Sequence, residues 1–178
     1  PLTILAIKNN DDIAILEFGA SKLGDITELC QIAKPTHGVI TNIGKAHLEE
    51  FKNISNIIKT KTELWKYIIK TNGVIFLNSQ DNLLSKEWAT PIYSKYKQIF
   101  NYGTKKENIV FLSASPFLKF KWMNNVIKTK IVGEYNLINI IAAIKIGIYF
   151  GLDHQKIVEK LKNKKSNNKR SELIKTKN

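Results

Sequence analysis

The stretch that decides the fold is residues 38–65, GVITNIGKAHLEEFKNISNIIKTKTELW. It opens with an apolar run, residues 39–43, whose length and β-branched content predict a buried strand. A helical pattern follows, which Ser55 can cap and in which apolar residues recur as far as Ile68. Asn72-Gly73 then predicts the end of that helix.

The residues on either side extend the same alternation. Residues 13–18 form a short apolar run that ends at Gly19, and we expect a buried strand there. Residues 25–33 carry apolar side chains at helical spacing, and residues 74–77 predict a third strand. Strands that alternate with helices indicate an α/β fold, a mostly parallel sheet flanked by helices.

The second half of the chain has a different pattern. Short strands are predicted at residues 109–112, 117–122 and 126–132. Asn124-Asn125 is the predicted hairpin turn between the last two of them. Helices are expected at residues 136–151 and about 154–161, before a polar linker. A small antiparallel β section should therefore follow the parallel sheet.

Composition excludes several classes of function. The net charge of the 178 residues is +13, but the lysines are scattered and Arg170 is the single arginine, which argues against a nucleic-acid partner. The longest apolar run, residues 138–150, is interrupted by Lys145 and is too short to span a membrane. Cys30 is the single cysteine, which fits a reducing, cytoplasmic location.

Three polar side chains are candidates for a site at the strand ends. Open parallel sheets bind ligands beyond the carboxyl ends of their strands. Glu17 lies near the end of the first predicted strand, His47 follows the second, and Lys61 lies on the next helix. A carboxylate and an imidazole there could hold a divalent cation. Each residue also has a non-functional interpretation: Glu17 as a solvated residue or helix cap, His47 as a structural residue, and Lys61 as a surface charge.

Several sequence motifs resemble those of a known family and favour a functional role for these three residues. LEFGASKLGDITELCQIAKPTHGVITNIGKAHLEEF, residues 16–51, resembles the central ATPase domain of the Mur ligases, with its E-x-G-A, G-(E/D)-I and A-H-L-E segments. KTKTELW at residues 59–65 resembles that family's A-K-x-x-(I/L)-(F/Y/W) helix. GEYNLINIIAAI at residues 133–144 resembles G-x-H-N-x-x-N-x-x-A-A, with Tyr135 where histidine is commoner. NNKRSELI at residues 167–174 resembles the start of the family's carboxy-terminal domain.

The resemblance implies a role for each candidate residue. Glu17 would ligate the Mg²⁺ shared with the ATP phosphates, and His47 would help to hold a second Mg²⁺. Lys61 would be the lysine that similar enzymes carbamylate, which would give the metal site an anionic oxygen ligand.

Three further residues would bind the nucleotide if the resemblance extends to the ATP site. Asn136 would contact the adenine, and Asn139 would support the helix start beside it. Arg170 would reach the ATP phosphates from the hinge between domains.

The implied reaction is ATP-dependent amide formation in peptidoglycan precursor synthesis. The GASKLGDI segment favours the family branch that joins D-alanyl-D-alanine to a UDP-N-acetylmuramoyl-tripeptide through an acyl phosphate. Two alternatives stay open: a sister Mur or folylpolyglutamate-type ligase, and a non-catalytic remnant that serves as an interaction module.

One family motif is absent from the sequence. No G-x-x-x-x-G-K-[ST] segment occurs, and Pro1-Leu2-Thr3 resembles the residues that follow this P-loop in relatives. We therefore expect residues 1–165 to be a partial central domain without the P-loop strand, and residues 166–178 to be a linker and the start of the carboxy-terminal ligase domain. Without the remaining parts of the amino- and carboxy-terminal domains, the chain is expected to be inactive alone.

Overall fold

The computed structural model describes residues 2–44, 51 and 53–163. The chain divides into two compact units. The first unit comprises Pro1–Leu77 and Asp81–Phe100, and the second comprises Asn78–Gln80 and Asn101–Asn178. No helix within the described ranges is long and apolar enough to cross a membrane.

A parallel sheet organises the first part of the chain. Its strands are β1 (His37–Ile40), β2 (Val74–Asn78) and β3 (Ile99–Tyr102), in the order β1-β2-β3. Strands β1 and β2 are parallel, with His37 opposite Val74 and Ile40 opposite Leu77. The helices are α1 (Leu2–Leu5), α2 (Asp25–Ala33), α3 (Ile54–Lys61), α4 (Glu63–Lys70) and α5 (Asn82–Trp88).

The core of the first unit lies around β2 and α4. All five residues of β2 are buried, as expected for a central strand covered on both faces. Trp65 of α4 has no exposed surface, and its ring meets the edges of Trp88 and Tyr93 at centroid distances of 5.1 and 5.3 Å. The other buried core members are Ile40, Ile43, Phe51, Ile57, Ile68, Ile75, Leu77 and Leu84.

A buried carboxylate joins α4 to the start of α2. Glu63 Oε1 accepts a hydrogen bond from Gly24 N at 2.7 Å, and Oε2 accepts from Thr27 N and Thr27 Oγ1, both at 2.9 Å. Gly24, the residue before α2, has φ of 98°, a left-handed conformation that glycine adopts without steric cost. Glu63 therefore satisfies amide groups that the first turn of a helix leaves without intrahelical partners.

The second unit contains an antiparallel sheet and two helices. Strands β4 (Ile109–Ser113), β5 (Phe117–Trp122) and β6 (Asn125–Val132) pair in that order. Helices α6 (Asn136–Tyr149) and α7 (His154–Asn163) follow. Helix α7 packs on β6 and α6, and Lys145 forms an ion pair with Glu107 at 3.2 Å.

The predicted fold class, a mostly parallel α/β sheet with an antiparallel β section, is confirmed, but the predicted first strand is wrong. Residues 13–18 have no regular secondary structure, and Ile15 is 88% exposed. The apolar composition favoured a strand, but a strand is stable only when its backbone groups pair with a neighbour, and among the described residues β1–β3 pair only with one another.

Two other differences have local causes. The single helix predicted before Asn72 is divided at Thr62, whose hydroxyl donates to Ile58 O at 2.8 Å, a contact that bends helices. Asn53, not Ser55, caps α3 by accepting from Asn56 N.

The remaining differences are small shifts and omissions. The turn between β5 and β6 is Met123-Asn124, one residue earlier than predicted, with Met123 at φ of 53°. Strand β1 begins and ends earlier than predicted, and α1, α5 and β3 were not predicted at all. All three omitted elements are short, so they contain too few residues to show a periodic pattern of apolar side chains.

Candidate functional site at the strand ends

Lysine 61 lies at the carboxyl end of the parallel sheet. The chain leaves β1 at Ile40, and Asn42, two residues later, lies beside the end of α3. Lys61, the last residue of α3, donates a hydrogen bond from Nζ to Asn42 O at 2.8 Å. The helix after β1 therefore returns a cationic side chain to the strand end, where open parallel sheets bind ligands.

Asp81 approaches the same strand end from β2. Its Oδ1 atom accepts from Leu83 N at 2.9 Å and Leu84 N at 3.0 Å, so Asp81 caps α5. Its Oδ2 atom accepts from Ile43 N at 2.8 Å. One carboxylate thus joins the first turn of the helix after β2 to the segment after β1.

The surroundings of Lys61 change its acid–base behaviour. Burial lowers the pKa of the Lys61 ammonium, and the Asp81 carboxylate opposes that shift. A lowered pKa enlarges the fraction of neutral amine, the form that can react with an electrophile. Lys59, two residues earlier on the same helix, is exposed. The structure therefore distinguishes the two lysines of this helix.

The other proposed metal ligands are not assembled in the described part of the chain. Glu17 is exposed, within the irregular segment that replaces the predicted first strand. His47 lies outside the described residues. Within residues 2–44, 51 and 53–163, no group of three or more His, Cys, Asp or Glu side chains is placed to hold a metal ion. The described donors alone do not make a magnesium site.

The predicted adenine contacts lie at the start of α6. Asn136 Nδ2 donates to Val132 O at 2.8 Å, and Asn139 Nδ2 donates to Asn136 Oδ1 at 3.3 Å. Asn139 is thus hydrogen-bonded to Asn136, and the adenine contact stays a prediction. The amide of Asn136 still has one N–H and one lone pair for a ligand, because a primary amide has four hydrogen-bonding positions. Arg170 lies outside the described residues.

Sequence reasoning missed Asp81. A signal was present, because Asp81 follows an apolar run and precedes Asn82-Leu83-Leu84, the pattern of a helix N-cap after a strand. Its bond to Ile43 spans 38 residues and could not be read from local spacing.

A parallel α/β sheet with a half-buried lysine and an aspartate at its strand ends is the arrangement in which open α/β domains bind ligands. The family model of the Mur ligase middle domain matches residues 1–147. The chain belongs to this family, and the resemblance stated from the motifs is confirmed.

Curated relatives are similar along nearly the whole chain. The UDP-N-acetylmuramoyl-tripeptide--D-alanyl-D-alanine ligase of Bacillus subtilis (strain 168) is 32% identical over 182 residues, which cover 99% of this chain and 38% of that protein. The ligase of the same name from Haemophilus influenzae is 30% identical, over 85% of this chain and 33% of that protein. The chain thus spans less than half the length of these relatives.

Solved structures agree on the fold. A crystal structure of MurF from Acinetobacter baumannii matches with a TM-score of 0.83 and 24% identity, over 97% of this chain and 38% of that one. The MurF ligase from Thermotoga maritima in complex with ADP matches with a TM-score of 0.60 and 28% identity, over 80% of this chain and 35% of that one.

Proposed function

We propose that the chain supplies central-domain residues of a cytoplasmic, ATP- and Mg²⁺-dependent ligase that joins D-alanyl-D-alanine to a UDP-N-acetylmuramoyl-tripeptide. The observation that carries the proposal is the position of Lys61, whose Nζ is hydrogen-bonded to Asn42 O beyond β1. The relatives that bear this activity in their names support the choice of substrates.

The proposed reaction has two steps. The carboxylate of the tripeptide attacks the γ-phosphorus of ATP, so that a carboxyl oxygen–phosphorus bond forms and ADP leaves. The amine of D-alanyl-D-alanine then attacks the acyl carbon, an amide forms, phosphate leaves and the amine loses a proton. Such chemistry depends on positioning and on neutralisation of charge rather than on a protein nucleophile.

Lys61 would contribute as an oxygen anion. Its neutral amine attacks the carbon of CO₂, an N–C bond forms, and a proton leaves to solvent. The cation becomes a carbamate, and burial favours the neutral amine that this step requires. We propose this carbamate, Glu17 and His47 as ligands of Mg²⁺, which would neutralise charge on the transferred phosphoryl group.

Nucleotide binding is assigned to the second unit. We propose that Asn136 contacts the adenine with Asn139 holding its amide in place, and that Arg170 reaches the phosphates. The proposed domain division assigns residues 1–165 to the central domain and 166–178 to a linker and the start of the next domain.

A segment exchange tests the function. The part of the Bacillus subtilis ligase that aligns with this chain is replaced by residues 1–178, and ADP release is measured with the UDP-tripeptide and D-alanyl-D-alanine. We expect ADP release that requires both substrates. The equivalent exchange with the Haemophilus influenzae segment controls for graft damage.

The outcomes separate the alternatives. ADP release supported by a single amino acid instead of the dipeptide would indicate a sister ligase. A folded but inactive chimera, beside an active control chimera, would indicate a non-catalytic remnant and would overturn the proposal.

A further inference from the structure

One peptide unit joins Lys61 to Asp81. The carbonyl of Asn42 and the N–H of Ile43 belong to the same peptide, the 42–43 peptide. Lys61 Nζ donates to this carbonyl at 2.8 Å, and Asp81 Oδ2 accepts from this N–H at 2.8 Å. The bond is trans, so the two groups point to opposite sides of the peptide. A cation and an anion therefore hold the same peptide from opposite sides.

The charges match the peptide dipole at both ends. Before any carbamylation of Lys61, its ammonium faces the negative oxygen and the Asp81 carboxylate faces the positive N–H, so each hydrogen bond polarises the peptide in the direction that strengthens the other. The arrangement is sheltered, because Ile43 is 7% exposed and Lys61 is half-buried. A hydrogen bond that involves a charged group contributes more to the stability of the fold than a neutral one, especially where water is excluded.

Helix α5 holds Asp81 in place. Its second oxygen accepts from Leu83 N and Leu84 N at the start of α5, which immobilises the carboxylate on a helix. Leu84 of that helix is fully buried in the core. Helix α5 therefore fixes the position of Asp81, Asp81 fixes the 42–43 peptide, and the peptide holds Lys61 Nζ.

We propose that Asp81 is a positioning residue that holds the Lys61 side chain at the strand end by fixing the orientation of the 42–43 peptide. In this role Asp81 acts through the 42–43 peptide, in addition to the attraction between its carboxylate and the Lys61 ammonium. The proposal adds to the function proposed above, and only its consequence for ligation depends on that function.

Asparagine at position 81 isolates the proposed contact. Its single acceptor oxygen can keep the α5 cap or the bond to Ile43, but not both, whereas the aspartate keeps both. Asp153 provides the matched control, since its Oδ1 alone accepts from Gln155 N at 2.8 Å and Lys156 N at 3.3 Å. Asp153→Asn therefore preserves every bond of a helix cap, and Asp81→Asn must lose one.

Hydrogen exchange of the Ile43 amide in the 178-residue chain tests the proposal without any enzymatic activity. Asp81→Asn should accelerate this exchange by about tenfold or more, the value of a charged hydrogen bond. Acetylation of Lys61, followed by mass spectrometry, should rise severalfold, while that of Lys59 stays unchanged. Asp153→Asn should alter neither. Unchanged Ile43 exchange or unchanged Lys61 labelling in Asp81→Asn would overturn the proposal.

The reciprocal variant covers the case in which Asp81→Asn fails to fold. Lys61→Met removes the ammonium and should also accelerate exchange at Ile43, because the two bonds support one another. In a double-mutant cycle on the unfolding equilibrium, Lys61→Met and Asp81→Asn should be coupled by a factor of about three or more. Independent effects would overturn the proposal.

A kinetic measurement connects the peptide to ligation. In the active chimera, Asp81→Asn should lower kcat about tenfold and leave KM for D-alanyl-D-alanine within about twofold, as expected when a group is misplaced but substrate binding is kept. A changed KM with an unchanged kcat would contradict the positioning role. An inactive wild-type chimera would count against the proposed function and would leave the exchange experiment to decide on Asp81.

Discussion

The two candidate sites of this chain are built from contacts of different range. At the strand ends, Lys61 reaches Asn42 across 19 residues and Asp81 reaches Ile43 across 38. At the start of α6, Asn136 reaches Val132 across four residues and Asn139 reaches Asn136 across three. The first site exists only when the tertiary fold exists, whereas the second is a property of one helix and the strand before it. Core substitutions should therefore affect the two sites unequally.

The largest effect on stability is expected from Trp65→Ala. The Trp65 ring is completely buried against Trp88 and Tyr93, and removal of such a ring costs about 3–5 kcal/mol. Chemical denaturation measures the loss, and side-chain NMR signals should report a disturbed Lys61 with Asn136 little changed.

Trp88→Ala is the matched control for this substitution. Trp88 is only half-buried, so its loss should cost clearly less. Equal costs for the two tryptophans would show that the core is not centred on α4. An Asn136 signal disturbed as strongly as that of Lys61 would break the distinction between the sites.

A smaller effect is expected from Glu63→Gln. The buried carboxylate accepts three hydrogen bonds from Gly24 and Thr27, and an amide keeps only one acceptor oxygen. The loss should be about 1.5–3 kcal/mol in urea denaturation, the range for hydrogen bonds to a charged group. Glu28→Gln, at an exposed position in the first turn of α2, should cost far less. Similar losses for both variants would argue that α2 needs only a nearby negative charge.

The smallest effect on stability belongs to the helix-start site. Asn136→Ala removes the bond to Val132 O and should cost about 0.5–1.5 kcal/mol, the usual contribution of a neutral hydrogen bond. Asn139→Ala should cost less, because its 3.3 Å bond to Asn136 is long and exposed. Thermal unfolding measures the loss of stability in both variants. A larger loss for Asn139→Ala than for Asn136→Ala would contradict the view that Asn139 merely supports Asn136.

The sequence predicted those parts of the fold that local chemistry decides. The spacing of apolar residues from Ile26 to Ala33 predicted α2 with its observed bounds, and the short β run at residues 117–122 predicted β5 with its observed bounds. Asn72 was recognised as a helix stop, and its φ of 54° is the left-handed conformation expected there. In each case the signal lies within a few residues.

The errors occurred where tertiary structure decides. Residues 13–18 have the composition of a strand, but strand formation depends on a pairing partner that composition does not reveal. Asp81 resembles an ordinary helix cap, and only the fold brings its second oxygen to Ile43. The family motif at residues 59–65 pointed to Lys61, and the structure places Lys61 at the strand end while Lys59 is exposed.

The most direct test of the account compares alanine substitutions of these two lysines in the active chimera. Lys61→Ala should lower kcat/KM for ligation by about 100-fold or more, comparable to the loss of a key charge-stabilising group. Added bicarbonate should restore nothing, whereas short carboxylic acids should restore part of the rate by replacing the lost oxygen ligands. Lys59→Ala should stay within about twofold of the parent, as expected for an exposed side chain. A damaging Lys59→Ala beside a tolerated Lys61→Ala would contradict the assignment of the strand-end site.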